Sequence, residues 1–413
     1  MKIDCLGASQ EVGRSAFLLE TDKKILLDYG IKIFGKDEKP EYPLDPGISP
    51  DVALISHAHM DHIGYLPYLY TYSNARWYAT QPTRELAEIL LEDSMKIMGD
   101  ECPYHLNDYR KAMNSWSRVN YGEEIRIGNT TAKYYDAGHI SGSSMIDIEY
   151  EKKRILYTGD FKMEPTRLHR GAKPVEDVDV LIIESTYALK EHPKRREAEE
   201  KLMNEIEETF DNGGTTLLPA FALGRSQELM RVIRGYNKEI PVFLDGMGKK
   251  ITEIYMKNKG FIEDPMGFKK DARTIKMVYG RYAKMEAVEN PGVIITSAGM
   301  MQGGPVLGYL LTVNKNSKVI FTGYNVQGTN GWKMLNKGYV TLNENDLEVD
   351  LPAEYIDMSA HGDRNDILNF IKYANPEKII LVHSDCSVEF GKELIEDFGY
   401  DAIAPKLGDQ IKL

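Results

Sequence analysis

Along the first 187 residues, apolar and polar positions alternate in short runs broken by turn residues, the pattern of β-strands with one or both faces buried. Residues 15–19 and 24–27 read as two strands joined by the turn Thr21-Asp22-Lys23, and residues 51–55 as a further short, buried strand. Residues 83–98 carry helical periodicity behind a Pro-Thr start. Strands follow at 124–136, 144–149 and 154–157, and the apolar run 178–184 ends in a carboxylate. From about residue 187 the texture changes. A charged amphipathic helix at 194–210 leads through Gly213-Gly214 into a strand at 215–219, a helix from 226 and a strand at 241–244, with further strands at 292–296 and 318–322. Such alternation predicts a parallel α/β unit. After about residue 352 the β-character returns, with strands at 354–359 and 378–382 around a helix at 364–373. The predicted class is α/β, with a first domain at 1–187 and 356–413 interrupted by an inserted domain at 188–355.

Composition sets outer limits. A chain of 413 residues exceeds a comfortable single core, which agrees with two domains. It is 42% hydrophobic and 28% charged, and no apolar run approaches the roughly 18 residues needed to cross a bilayer. The start, Met1-Lys2-Ile3-Asp4-Cys5, reads as a first strand rather than a signal peptide. Cys5, Cys102 and Cys386 lie far apart and form no CxxC pair, so a reducing, cytoplasmic setting is expected. A net charge of −12 argues against a broad basic coat for nucleic acid, yet leaves room for a small cationic groove.

The densest chemistry is Ser56-His57-Ala58-His59-Met60-Asp61-His62, directly after a predicted strand. In an extended segment His57 and His59 point the same way, because side-chain direction repeats every two residues. Imidazole nitrogen and carboxylate oxygen suit a borderline cation such as Zn²⁺. Asp61 and His62, just past the bend, can face a second ion. The bland alternative is a polar loop of satisfied histidines, but three of the chain's nine histidines sit here. Distant partners are sought at other strand ends, where His139, Asp160 and His383 all fall. Alone, each is more often a structural histidine or a turn aspartate. Their shared position gives them a common sheet edge on which to converge. His105, His169 and His192 sit in charged, loop-like contexts and read as solvated.

The HxHxDH run followed by His139 and Asp160 resembles the metal motifs of the metallo-β-lactamase superfamily. That resemblance implies an αββα sandwich binding two Zn²⁺ ions per chain. His57, His59 and His139 would hold one ion, Asp61 and His62 the other, and Asp160 would bridge them. Asp28, in Leu26-Leu27-Asp28-Tyr29-Gly30, matches the first motif and would support the ligands from behind. The interruption at 188–355 resembles the β-CASP insertion of the nucleic-acid-processing branch. Glu184 matches motif A, His361 in Met358-Ser359-Ala360-His361-Gly362-Asp363 matches motif B, and His383 matches motif C and would complete the second ion's shell. Histidine at motif C is similar to RNA-directed members. Residues 219–228 (Pro-Ala-Phe-Ala-Leu-Gly-Arg-Ser-Gln-Glu), 297–305 and 323–329 resemble the nuclease subunit of the cleavage and polyadenylation specificity factor. The chain starts at the catalytic domain, so it resembles the short archaeal form without KH domains, in the same group as RNase J.

The resemblance implies a zinc-dependent ribonuclease acting in RNA 3′-end processing or decay, endonucleolytic and with 5′–3′ exonuclease action as a further mode. Phosphodiester hydrolysis needs a nucleophile at neutral pH, charge neutralisation and a proton for the leaving oxygen, and two metal ions supply the first two. His361 is the candidate general acid, oriented by Glu184, with Asp61 also counted in the catalytic set. The bland role for His361 is a cap on the helix that follows. Arg225, behind a glycine at a helix start, and Ser359 are the candidate substrate contacts. Expected partners are RNA, a second copy of the chain in a homodimer, and other RNA-processing subunits. Competing readings are a small-molecule metallo-hydrolase, a DNA-directed nuclease and a non-catalytic subunit.

Overall fold

The computed structural model describes residues 1–33 and 39–413, which fall into two units. The first comprises Met1–Pro165, Arg170–Glu191 and His361–Leu413; the second comprises Thr166–His169 and His192–Ala360.

Period-two burial builds the first unit. In the strands Phe17–Glu20, Lys24–Leu27 and Val52–Leu54, Leu18, Leu26 and Ala53 turn to one core while Phe17, Leu19, Ile25, Leu27, Val52 and Leu54 turn to another. These strands belong to a seven-stranded sheet ordered Gln410–Lys412, Lys2–Cys5, Phe17–Glu20, Lys24–Leu27, Val52–Leu54, Arg76–Ala79, Trp116–Arg118. A second seven-stranded sheet runs Ala402–Ile403, Lys378–Val382, Val180–Glu184, Lys153–Tyr157, Ser144–Tyr150, Thr130–Asp136, Glu124–Ile127. Between them lies one shared core, to which the second sheet contributes Tyr134, Ile146, Ile148, Ile155, Ile182 and Ile380. The outer face of the first sheet is covered by the helices Gln81–Met98 and Leu106–Asn114, and that of the second by Arg364–Ala374 and Ser387–Glu396. The result is the expected αββα sandwich.

Strand direction decides where polar side chains gather. Lys153–Tyr157, Val180–Glu184 and Lys378–Val382 are mutually parallel, so their carboxyl ends share one edge. Thr130–Asp136 reaches the same edge through two antiparallel pairings. In the first sheet Lys24–Leu27 and Val52–Leu54 are parallel as well.

The second unit is a six-stranded, all-parallel sheet ordered Lys276–Met277, Val242–Asp245, Gly292–Thr296, Thr215–Pro219, Lys318–Phe321, Ala353–Tyr355. Its inner strands are apolar on both faces, as a doubly covered sheet requires. Leu218, Val242, Leu244, Val293, Ile295 and Ile320 enter one core and Leu217, Phe243, Ile294, Val319 and Phe321 the other. The strand expected at 354–359 stops at Tyr355. Its neighbour Lys318–Phe321 ends at Phe321, whose carbonyl takes the last bond from Ile356, so no ladder partner remains beyond. Among the described residues no helix is long and apolar enough to cross a membrane.

Candidate metal and active site

Six strand ends of the first unit deliver the candidate residues. Asp28 follows Lys24–Leu27, His57 and His59 follow Val52–Leu54, His139 follows Thr130–Asp136, and Asp160 follows Lys153–Tyr157. Glu184 closes Val180–Glu184, and His383 follows Lys378–Val382. The chain turns sharply at these ends. Asp28 and His383 adopt φ of +55° and +56°, a left-handed conformation that costs a non-glycine residue of order 1 kcal/mol or more. Such strain persists only where the surroundings over-determine it. Gly30 is required sterically, since a Cβ there would lie 1.8 Å from the Asp61 carbonyl oxygen. That close approach lets the His-rich loop lie against the chain behind it, where Ser15 N donates to Asp61 O and Tyr29 N to His62 O.

The imidazoles converge. His57 Nε2 lies 3.2 Å from His59 Nδ1, and His139 Nε2 lies 3.0 Å from the same atom. His57 Nε2 and His139 Nε2 stand 3.5 and 3.7 Å from Asp160 Oδ2. The other carboxylate oxygen, Oδ1, faces His62 Nε2 at 3.2 Å and His383 Nε2 at 3.9 Å, and His383 Nε2 also lies 3.5 Å from Asp61 Oδ2. Asp160 therefore turns one oxygen to each of two donor groups, His57/His59/His139 and Asp61/His62/His383. All but His59 and Asp61 are buried.

Electrostatics divides the cluster. Burial, with the neighbouring His62, drives the His57 imidazole well below its ordinary pKa, and burial takes His59 to about 4. Both are neutral at pH 7, the form that ligates a cation. Burial opposes ionisation of Asp160, but His62, His383 and His361 outweigh it and hold the carboxyl well below the usual range. For His62, burial is overcome by Asp160 and Asp28, and the imidazole is pushed up.

Hydrogen bonds behind the cluster fix which ring nitrogens face inward. His62 Nδ1 donates to Asp28 Oδ2 at 2.7 Å, which leaves Nε2 for the cluster. Ser56 Oγ donates to the same carboxylate at 2.6 Å and lies 3.0 Å from His57 Nδ1. With its proton committed to Asp28, Ser56 can only accept from His57, so His57 presents a bare Nε2. Asp28 thus orients one histidine of each donor group, as carboxylates behind metal-binding histidines do. Tyr157 Oη donates to Asp28 Oδ2 at 2.7 Å, and Ser15 Oγ lies 3.1 Å from His383 Nδ1. Sequence reasoning missed Ser15, Ser56 and Tyr157 in these roles. Ser56 was adjacent to the motif and could have been found; Ser15 and Tyr157 carry no local signal.

His361 Nδ1 lies 3.0 and 3.1 Å from the two oxygens of Glu184 and 3.9 Å from Asp160 Oδ2. Burial lowers this imidazole, but Glu184, Asp160 and Asp61 prevail and raise it to about 9, so it is cationic at neutral pH. Glu184 is itself held by Phe161 N and by Thr186 Oγ1, which donates at 2.6 Å. The helix cap belongs to Asp363, whose side chain accepts from Asp366 N; His361 is therefore committed to Glu184 instead.

The remaining candidates belong to the second unit. Arg225 opens the helix Arg225–Tyr236; its Nε is buried without a hydrogen-bond partner. Burial, then the charge of Arg195, lowers its guanidinium to about 10. Ser359 N donates to Asp357 Oδ1 at 3.1 Å. Two histidines depart from expectation. His169, expected to be solvated, is 4% exposed, because its loop folds back on Thr166 Oγ1 and its ring meets Tyr255 edge-on. The side chain of His192, also expected in solvent, is covered and lies 3.1 Å from Asp357 Oδ2. His105 is exposed, as expected.

Comparison with known proteins agrees with this geometry. A metallo-beta-lactamase superfamily domain matches residues 18–178, a Beta-Casp domain residues 226–334, and a Zn-dependent metallo-hydrolase RNA specificity domain residues 346–405. The chain is 35% identical over 431 residues to "Probable RNase MJ4" of Methanocaldococcus jannaschii, covering 100% of both chains. It is 37% identical over 419 residues to "RNase aCSPSF2" of Saccharolobus solfataricus, covering 99% of this chain and 84% of the relative. "Transcription termination factor FttA" of M. jannaschii is 33% identical, with 93% of this chain and 67% of the relative covered. A crystal structure of an Enterococcus faecalis protein of unknown function shares the fold, with a TM-score of 0.63 at 14% identity over 100% of this chain and 99% of that one. On full-length similarity, matched domains and the arrangement of its His/Asp cluster, the chain belongs to the β-CASP family of the metallo-β-lactamase superfamily.

Proposed function

We propose that the protein is a two-zinc ribonuclease that cuts RNA phosphodiester bonds internally, with 5′–3′ trimming as a second mode. The observation that carries the reading is Asp160, whose two oxygens face two separate donor groups while His361 and Glu184 stand beside them. The names of the full-length relatives support RNA as the substrate.

The donors fit a cation pair. Tetrahedral zinc with nitrogen ligands at about 2.0–2.1 Å sets those nitrogens roughly 3.3 Å apart. His57 Nε2 and His139 Nε2, at 3.2 and 3.0 Å from His59 Nδ1, approach that spacing. Asp160 Oδ1 is buried and meets the hydrogen-bond geometry of no donor, although His62 Nε2 stands 3.2 Å away; a cation there would satisfy it. On this reading His57, His59 and His139 would hold one zinc and Asp61, His62 and His383 the other, with one Asp160 oxygen available to each group. When bound, such a pair acidifies water and neutralises phosphate charge.

The chain's own residues do the rest. Nδ1 of His361 is turned to Glu184, so Nε2 is the atom that gives a proton to the departing ribose oxygen. Glu184 fixes the ring and stabilises its cationic form. Arg225 and Ser359 contact substrate phosphate; Arg225's buried, unpartnered Nε supports this. The test uses RNA labelled at the 5′ or the 3′ end, beside its DNA counterpart, with wild type and His361→Ala. Internal RNA fragments from wild type alone are expected. Equal cutting of DNA, or undiminished cutting by the variant, would overturn the substrate or the acid assignment respectively.

A further inference from the structure

The second unit has its own candidate site. At the carboxyl ends of the parallel strands Val242–Asp245 and Lys276–Met277 lies a cavity of about 460 Å³, lined by Asp245, Lys249, Tyr279, Arg281 and Lys284 among others. Crevices at such ends are where open parallel sheets take ligands. The charge is local and positive. Lys249 Nζ donates to Asp245 Oδ1 at 2.9 Å and to the Val278 carbonyl, and Tyr309 Oη donates to Asp245 Oδ2 at 2.9 Å. One cation therefore offsets the one carboxylate. Lys284 stands 3.9 Å from Asp245 Oδ2 with its side chain half exposed, and Arg281 has no ion pair among the described residues. Three cations against one carboxylate leave a net charge of +2 in a chain of net −12.

The rim is aromatic. Tyr279 and Tyr282 are 64% and 82% exposed, and Lys249 Nζ sits 4.6 Å from the Tyr279 ring centroid. The two rings lie three residues apart, beside the cationic lining. The helix Gly280–Glu289 begins at the cavity, and the Tyr279 side chain makes no cap there, so its first-turn N–H groups have no side-chain acceptor from the N-cap. Its remaining surface is largely exposed, with Ala287 its one buried residue. Lys276, by contrast, is paired with Glu286 at 2.6 Å.

We propose that this cavity anchors single-stranded RNA, its phosphates on Arg281 and Lys284 and a base on Tyr279 or Tyr282, as a strand-holding site separate from the His/Asp cluster. Cations along the backbone combined with exposed rings are how sequence-tolerant single-strand binders work. The inference rests on the ribonuclease reading for its choice of polyanion.

The test measures binding of a fluorescein-labelled 20-nucleotide RNA by anisotropy across a salt series, in the metal-loaded His361→Ala background. Arg281→Ala/Lys284→Ala is expected to weaken binding about tenfold at low salt and to flatten the log–log salt slope by about 1.4, two phosphate contacts at ~0.7 each. Tyr279→Ala/Tyr282→Ala is expected to weaken it roughly fivefold or more while leaving the slope in place. The same substitutions in the otherwise wild-type enzyme should leave hydrolysis of bis(p-nitrophenyl) phosphate unchanged, which reports an intact fold. Unchanged affinity and slope would overturn the proposal. So would unchanged affinity with a halved mass by light scattering, which would assign the patch to a contact between copies. If wild type cuts RNA while binding ignores these variants, only the anchoring site falls. If the variants lose binding while wild type cuts no RNA, only the ribonuclease reading falls.

Discussion

The two units present opposite chemistry at the ends of their strands. In the first, imidazoles and carboxylates crowd in near-complete burial, and Asp160 Oδ1 meets the hydrogen-bond geometry of no donor. In the second, the carboxylate Asp245 is already satisfied and the surplus is cationic, exposed and ringed by tyrosine. One edge concentrates buried donor atoms that suit a cation; the other concentrates exposed positive charge. Buried acceptors with no donor are tolerated where a bound ion completes them, whereas exposed cations cost little to keep and serve to hold a polyanion. The difference separates a place for bond cleavage from a place for grip.

The sharpest way to break the comparison is to remove the shared acceptor. Asp160→Ala should reduce RNA cleavage by at least about 10³-fold, through loss of the charge-stabilising centre, with the melting temperature measured on the apo-proteins of both forms as the check on folding. Next is His361→Ala, expected to lower kcat by about 10²–10⁴-fold, the range for a lost general acid, while metal content stays at the wild-type level. An equal fall in metal content would make His361 a ligand instead. Asp28→Asn keeps the shape but weakens the acceptor of His62 and Ser56, and should cost about 10–100-fold in metal affinity or activity, read by competition with a chelating dye. The smallest effect sharpens the other side. Lys276→Ala removes a cation already paired with Glu286, so RNA affinity should change less than about twofold, since exposed ion pairs contribute little. A loss as large as that from Arg281→Ala/Lys284→Ala would mean that bulk charge, not the cavity, holds RNA.

What was legible in the sequence follows from range. The β-rich first domain and its α/β insertion could be read because period-two alternation and strand–helix alternation are local patterns; the αββα sandwich itself came from the resemblance of the metal motifs. The helix expected at 194–210 occupies Arg195–Asp211, and the strand at 215–219 occupies Thr215–Pro219. The donor positions were visible because each follows a strand, and parallel strands bring their ends to one edge. Ser15 was not visible, since its bond to His383 joins residues 368 apart and a lone serine carries no pattern. Tyr157 looked like any strand aromatic until Asp28 lay opposite it. His169 and His192 were misjudged for a related reason: polar neighbours in sequence say nothing of which loop will fold over them. The cationic cavity was hidden by the average. A net charge of −12 describes the whole chain, while Lys249 joins Arg281 and Lys284 only once the sheet has formed.

The most direct measurement is elemental analysis of the purified protein, wild type against His383→Ala and His139→Ala. The expected result is two zinc ions per chain in wild type and about one in each variant, since each removes a ligand from a different donor group. A wild-type protein that retains no metal, or variants that keep the full wild-type count, would contradict the account.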